Sequence, residues 1–169
     1  GSLTAVRSVD AKPPYDGTNI VAFNPGLIIE SLVNPERTNF SFKDIAWLGS
    51  ITKDFRVCYA WGATGVKTWD DVRRHKEFVF GATAPGSSSY MNSSTLKSVF
   101  GVNVKQVLGY PGSAEMRIAI QTGELHGDCG PWSAITPEWR RDGKINAFVR
   151  FSRDATPDMP SEARFIGDF

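Results

Sequence analysis

At 169 residues, 41% of them hydrophobic, the chain is long enough for one domain or two small lobes with a real core. A formal net charge of +1 argues against nucleic acid or an anionic membrane as the main partner. No apolar run approaches the ~20 residues of a membrane span, and Gly1-Ser2 has the look of a cloning remnant, so the lack of an export signal decides nothing.

Taken in chain order, residues 1–12 carry no clear periodicity and read as an irregular start. Pro13-Pro14-Tyr15-Asp16-Gly17 is a turn signal, and residues 19–23 read as a short strand. Asn24-Pro25-Gly26 is a loop that opens a helix over 27–33. Asn24 as N-cap and Pro25 at the first helical position are good helix-start chemistry. A strand followed by a helix N-terminus makes this a candidate anion site. Residues 34–43 are polar and turn-rich. Two strand-like runs follow, 45–51 and 55–61, with Lys53-Asp54 between them. Thr68 and Asp71 form a capping box for a short helix; Arg73, Arg74, His75 and Lys76 at its far end read as a solvated run that suits the helix dipole.

Residues 78–90 organise the rest. Phe78-Val79-Phe80 has the aromatic and β-branched character of a buried strand. Gly81 and Gly86 permit unusual backbone angles, and Ser87 or Ser88 is a good N-cap for a helix running to residue 100. On that helix Leu96, Val99 and Phe100 share one apolar face. Thr83, Ser87, Ser88 and Ser89 add hydroxyls around a helix N-terminus, a setting that receives an anion. The spacing of Gly81 to Gly86 matches the outer glycines of a phosphate-binding loop, but Ser87 stands where that loop needs Lys. A triphosphate would be poorly neutralised, and a smaller anion such as a carboxylate fits better.

Residues 102–108 are another strand, and Gly109-Tyr110-Pro111-Gly112-Ser113 is a third loop. It opens a helix over 114–121 with Met116, Ala119 and Ile120 along one face. A strand over 125–129, a helical segment over 133–141, a turn at Asp142-Gly143-Lys144, a strand over 145–151 and an extended loop at 156–160 complete the chain. Strands alternating with helices indicate an α/β fold with a largely parallel or mixed sheet. Its three glycine-containing loops would gather at the carboxyl ends of the strands, where open α/β sheets bind ligands. Cys58 and Cys129, the only cysteines, are no metal motif; they read as buried free thiols, with a single disulfide as the alternative in an oxidising compartment.

Five short motifs now stand in order: Asp16-Gly17-Thr18; Phe42-Lys43-Asp44-Ile45-Ala46-Trp47-Leu48-Gly49; Gly81 to Ser89; Gly109 to Glu115 with Gly123-Glu124-Leu125-His126-Gly127; and Pro157-Asp158-Met159-Pro160. Their order and spacing resemble the substrate-binding receptors of tripartite tricarboxylate transporters, the Bug-type periplasmic proteins, over residues 16–160. The resemblance implies a two-lobed, periplasmic-binding-protein-like α/β fold, with a mostly parallel or mixed sheet flanked by helices. It implies a periplasmic receptor that closes on a small carboxylate and hands it to the membrane components of a transporter. Carried over by position, it points to Asn24, Pro25 and Gly26 in the first lobe, and to Thr83, Gly86, Ser87, Ser88, Tyr110, Gly112 and Ser113 in the second. Asp128 is added where the family often has a polar ligand contact. Residues 1–55 would be part of the first lobe, 56–150 a nearly complete second lobe, and 151–169 a segment returning to the first. The strand and Gly-rich loop that open such receptors, and their closing helices, do not appear, so the chain reads as a fragment that binds weakly and pairs with itself or with a separate piece of the same protein.

The reading assigns no catalytic residue, metal or cofactor. Its main rival is an enzyme in which Ser87, Ser88 or Cys129 is the nucleophile, His126 the base and Asp128 the orienting acid. Against it, the chain has only two histidines and no G-x-S-x-G elbow. A ligand-sensing domain of a transcription regulator, which shares the two-lobed plan, is the second rival.

Overall fold

The structure is a computed structural model that describes residues 2–11, 15–43 and 45–169. Six strands form its sheet: β1 (Val57–Trp61), β2 (Phe78–Ala82), β3 (Val104–Leu108), β4 (Gly127–Asp128), β5 (Ile145–Arg150) and β6 (Arg164–Phe165). Their spatial order is β3-β2-β4-β1-β5-β6. β2 runs parallel to β3 and β4, and β5 to β6, while β1 is antiparallel to both β4 and β5. The expected mixed α/β sheet is therefore present.

The chain divides into two units, Gly1–Ser50 and Ile51–Phe169. The sheet belongs to the second, and the period-two alternation of its strands sorts side chains between two faces. Val57 and Tyr59 of β1, with Ile145 and Ala147 of β5, join Met116, Ala119 and Ile120 of α6 (Ser113–Gln121) and Trp139 of α7 (Pro137–Arg141). Cys58, Ala60, Phe78, Phe80 and Phe148 face the other way, against Trp69 and Val72 of α4 (Trp69–Arg74) and Leu96 of α5 (Ser88–Ser98). Each large side chain buried in these layers contributes roughly 1.5–3 kcal/mol. Local chemistry sets the helix starts. Thr68 and Asp71 close a reciprocal capping box on α4, and Thr136 accepts the Trp139 N–H at the start of α7.

Several expectations need correction. Cys58 and Cys129 are a disulfide, not free thiols. They sit opposite one another on β1 and the end of β4, flanked by the hydrogen-bonded pairs of Val57 with Gly130 and Tyr59 with Asp128. Such non-hydrogen-bonded sites bring antiparallel Cα atoms closest, here to 3.9 Å. On α5 the buried face is Ser89, Ser93 and Leu96, while Val99 is 69% exposed. Val99 keeps helical angles as the C-cap, but the face that meets the core runs through Ser89, Ser93 and Leu96 towards Phe100 and leaves Val99 to one side.

The first unit contains α1 (Ser2–Asp10), α2 (Gly26–Val33) and the single turn α3 (Pro35–Thr38). Where the sequence suggested an irregular start, α1 forms; Val6 is buried and the Arg7 guanidinium donates to the Arg37 and Thr38 carbonyls at 2.8 Å, closing the open end of α3. The strands expected at 19–23 and 45–51 do not form among the described residues of this unit. Extended segments need partners for their backbone groups, and the unit supplies no ladder for them. Phe23, Phe42 and Trp47 cluster instead through their rings, Phe23 lying 5.0 Å from Phe42 and 5.7 Å from Trp47. Pro13 and Pro14 of the expected turn, and Asp44 of the 42–49 motif, lie outside the described residues.

Candidate functional site

β2, α5 and β3 make one crossover on the α4/α5 face of the sheet, and β3, α6 and β4 make the return on the opposite face. Strand order therefore reverses around β2. Such a reversal makes the carboxyl ends of β2 and β4 the usual place for a ligand in an α/β sheet. Thr83 follows β2, and Asp128 ends β4.

The loop after β2 is built to present the start of α5. Gly86 has φ +83°, a left-handed angle that reverses the chain in front of the helix. The Ser87 N–H donates to the Ala84 carbonyl at 3.1 Å, and the Ser87 hydroxyl oxygen accepts from the Tyr90 N–H at 3.4 Å. Ser87 is thus the cap that its sequence position suggested. The loop after β3 is tied directly alongside, because the Gly109 N–H donates to the Thr83 carbonyl at 3.3 Å. From that loop the Tyr110 hydroxyl donates to Glu124 Oε1 at 2.5 Å. Burial, with the hydrogen bond and charge of Glu124, pushes the Tyr110 phenol up to about 12. Gly112 stands at the start of α6 with no side-chain cap, and a Cβ there would meet only Glu115 Oε2, at 3.4 Å. Thr83, Ser87, Ser88, Tyr110, Gly112 and Ser113 are all partly exposed around this pair of loops, while Gly86 is buried beneath them.

Asp128 differs in kind from these candidates. It is only 4% exposed. Its Oδ1 accepts the Cys129 N–H at 2.7 Å, and the Ser89 hydroxyl also hydrogen-bonds its carboxylate. A Cβ on Gly130 would lie 2.4 Å from Asp128 Oδ2 and 3.3 Å from Ser89 Oγ, so only glycine leaves room for this pair. Burial raises the carboxyl to about 6, against the pull of both hydrogen bonds. Beside it, Asn92 Nδ2 donates to the Cys129 carbonyl at 2.8 Å, while Gln106 Nε2 reaches Ser93 Oγ at 2.7 Å. These links hold α5 to β3 and β4. Sequence reasoning listed Ser89 only as one hydroxyl among several and did not single out Gly130, Asn92 or Gln106; the one local signal was the unusual serine content of α5.

Asn24, Pro25 and Gly26 lie in the first unit. Asn24 Oδ1 accepts the Gly26 N–H at 3.0 Å, and the Asn24 N–H donates to Ser2 Oγ at 3.0 Å. The loop is thus a polar turn into α2, with Asn24 in the capping role and the helix assigned from Gly26.

Two members of the nucleophilic constellation are committed elsewhere. Cys129 is bonded to Cys58. The His126 ring lies against His75 and Phe78, with centroids 5.1 and 5.2 Å away. His126 Nδ1 accepts the Val79 N–H at 3.1 Å, so it is spent on the backbone and the neutral ring carries its proton on Nε2. Desolvation, then the neighbouring His75, lowers its pKa, while Glu77 pulls the other way. No group of three or more His, Cys, Asp or Glu able to hold a metal ion occurs among the described residues, and no described helix is long and apolar enough to cross a membrane.

No family model and no curated protein matches the sequence. Solved structures do. The R. palustris protein Rpa4515 with adipate superposes with a TM-score of 0.66 at 20% identity, over 99% of this chain and 57% of that one. MatC from Rhodopseudomonas palustris, with bound malate, gives 0.57 at 20% identity over 66% and 39%. The periplasmic binding protein BugD gives 0.56 at 18% identity over 66% and 38%. The chain thus has the fold of Bug-type periplasmic solute-binding proteins, and it spans 38–57% of the length of these neighbours.

Proposed function

We propose that this chain is part of an extracytoplasmic solute-binding receptor that captures a small carboxylate for a tripartite tricarboxylate-type transporter, and that it is not an enzyme. The observation that carries the reading is the pairing of two hydroxyl-rich loops, after β2 and β3, at a reversal of strand order. Both lead into helix N-termini, where backbone N–H groups and the helix dipole favour an anion. Thr83, Gly86, Ser87, Ser88, Tyr110, Gly112 and Ser113 form the second-lobe part of the site, and Asn24, Pro25 and Gly26 the first-lobe part. In lobe terms, residues 1–55 belong to the first, 56–150 to the second, and 151–169 return towards the first. Malate and adipate bound in the neighbouring structures make carboxylates the natural ligands to try. The buried disulfide favours an oxidising compartment, hence a periplasmic receptor over a cytoplasmic regulator.

Gly112 provides the test. Its φ of −171° is extended backbone that any residue adopts, and the space around a Cβ there is nearly open. Gly112→Val should therefore fold with an unchanged melting temperature. Its branched side chain would stand over the start of α6, so the affinity for malate or adipate should drop about tenfold or more, the equivalent of one or two lost charge-assisted hydrogen bonds. Titration calorimetry of both proteins reads this directly. A valine variant that binds as tightly as the parent would remove the loop after β3 from the site.

A further inference from the structure

The proposed anion site has a negative charge buried directly behind it. Asp128 lies against Ser89, in the first turn of α5, whose N-terminus the candidate loop presents. No ion pair reaches Asp128 among the described residues. The groups around it are few. From β1, Tyr59 is its cross-strand partner, a buried phenol held neutral by desolvation and by Asp128 itself. From α6, the Arg117 guanidinium acts on Tyr59 but donates to the Ala134 carbonyl at 3.0 Å. α5 contributes only the Ser89 hydroxyl. On β4's own segment His126 is turned to the Val79 N–H.

Resting on the receptor reading above, we infer that Asp128 is a positioning residue whose buried charge sets how strongly the α5 loop holds an anion, so that carboxylate capture is accompanied by proton uptake at Asp128. An ionised Asp128 and a bound carboxylate compete for the same helix N-terminus and repel each other across a poorly screened interior. Taking one proton from the buffer removes that repulsion. The neutral carboxyl still accepts the Cys129 N–H at Oδ1. Its new O–H donates to Ser89 Oγ, which releases the serine hydroxyl proton for another acceptor. The carboxyl is already raised to about 6 by burial, so a nearby anion needs to supply only a modest further push to protonate it near neutrality. Site-to-site couplings of this kind are usually worth 5- to 150-fold in affinity, and the linkage is reciprocal.

The experiment is calorimetric titration of the whole chain with malate, at about pH 6.5 and about pH 8, in buffers of contrasting ionisation enthalpy. The wild-type protein should bind threefold or more tightly at the lower pH and take up a fraction of a proton per malate. Asp128→Asn should bind with the same affinity at both pH values and take up none. Ser89→Ala keeps the charge but removes a donor to it, so its affinity profile should shift towards higher pH, which a merely structural role would not produce. Malate binding in the wild type with no pH dependence and no proton uptake would overturn this inference and leave the receptor reading standing. Failure of malate and adipate to bind at either pH would overturn both.

Discussion

A buried carboxylate without a cation strains the fold at neutral pH, and Asp128 is that residue here. Its folded pKa is raised from 3.8 to about 6, so the folded state holds a proton that the unfolded state has lost. The stabilising contribution of the protonated form is fully present below about 3.8 and is lost as pH rises through about 6. Above that range ionised Asp128 costs roughly 3 kcal/mol, the free-energy equivalent of the gap between 3.8 and about 6. Asp128→Asn should accordingly melt at a higher temperature than the wild type at about pH 8, with the gain vanishing near pH 4. Melting curves across that range are the check; a gain of equal size at both ends would mean that charge burial is not its source. Nearby glycines serve the same geometry. A Cβ at Gly127 would lie 1.9 Å from the Tyr59 carbonyl oxygen, so β4 approaches β1 closely enough to seat Asp128 only because no side chain intervenes.

At the level of elements, α4 shows what local chemistry alone can specify. Thr68 Oγ1 accepts the Asp71 N–H at 3.2 Å, and Asp71 Oδ2 accepts the Thr68 N–H at 2.9 Å. Thr68→Ala removes the hydroxyl that caps the Asp71 N–H while leaving the Thr68 backbone N–H bonded to Asp71, and should cost about 1 kcal/mol, seen as a lower denaturant midpoint at unchanged slope. No loss would mean that burial of Trp69 and Val72 holds the helix without its cap. This box, the Ser87 cap and the Met116, Ala119 and Ile120 face of α6 were all legible in the sequence, because each depends on residues within two turns of one another. Segments 19–23 and 45–51 looked like strands by composition, yet composition cannot tell whether a pairing partner exists. Val99 was misread because apolar spacing alone centred the buried face on Leu96, Val99 and Phe100, whereas the core is met through the serines Ser89 and Ser93. The candidate loops could be read from their glycines and hydroxyls. What fixes them could not, since Ser89 meets Asp128 and Gly109 meets Thr83 only after the strands have been ordered in space.

Across the second unit as a whole, the Cys58–Cys129 bond is the covalent constraint. It joins β1 to the end of β4 over a sequence separation of 71, and the loop it closes contains β2, α5, β3 and α6, hence both candidate anion loops. In the chain-entropy account a closed loop of that length stabilises the fold by ~4 kcal/mol, by restricting the unfolded chain. That is a large share of the ~5–15 kcal/mol by which domains are typically stable. Both cysteines have no exposed surface, so a reductant should act slowly on the folded protein and quickly once it unfolds. The clean comparison is therefore the double variant Cys58→Ala, Cys129→Ala beside the oxidised parent in chemical denaturation. We expect the variant to lose ~4 kcal/mol and to bind carboxylates more weakly, because opening of the β2–β4 region would then be frequent. The parent, denatured and refolded in excess dithiothreitol, should match the variant in stability. If variant and parent unfolded at the same denaturant concentration, the bond would be a passenger in an already rigid sheet, and the argument that it suits the protein to an oxidising compartment would lose its physical basis.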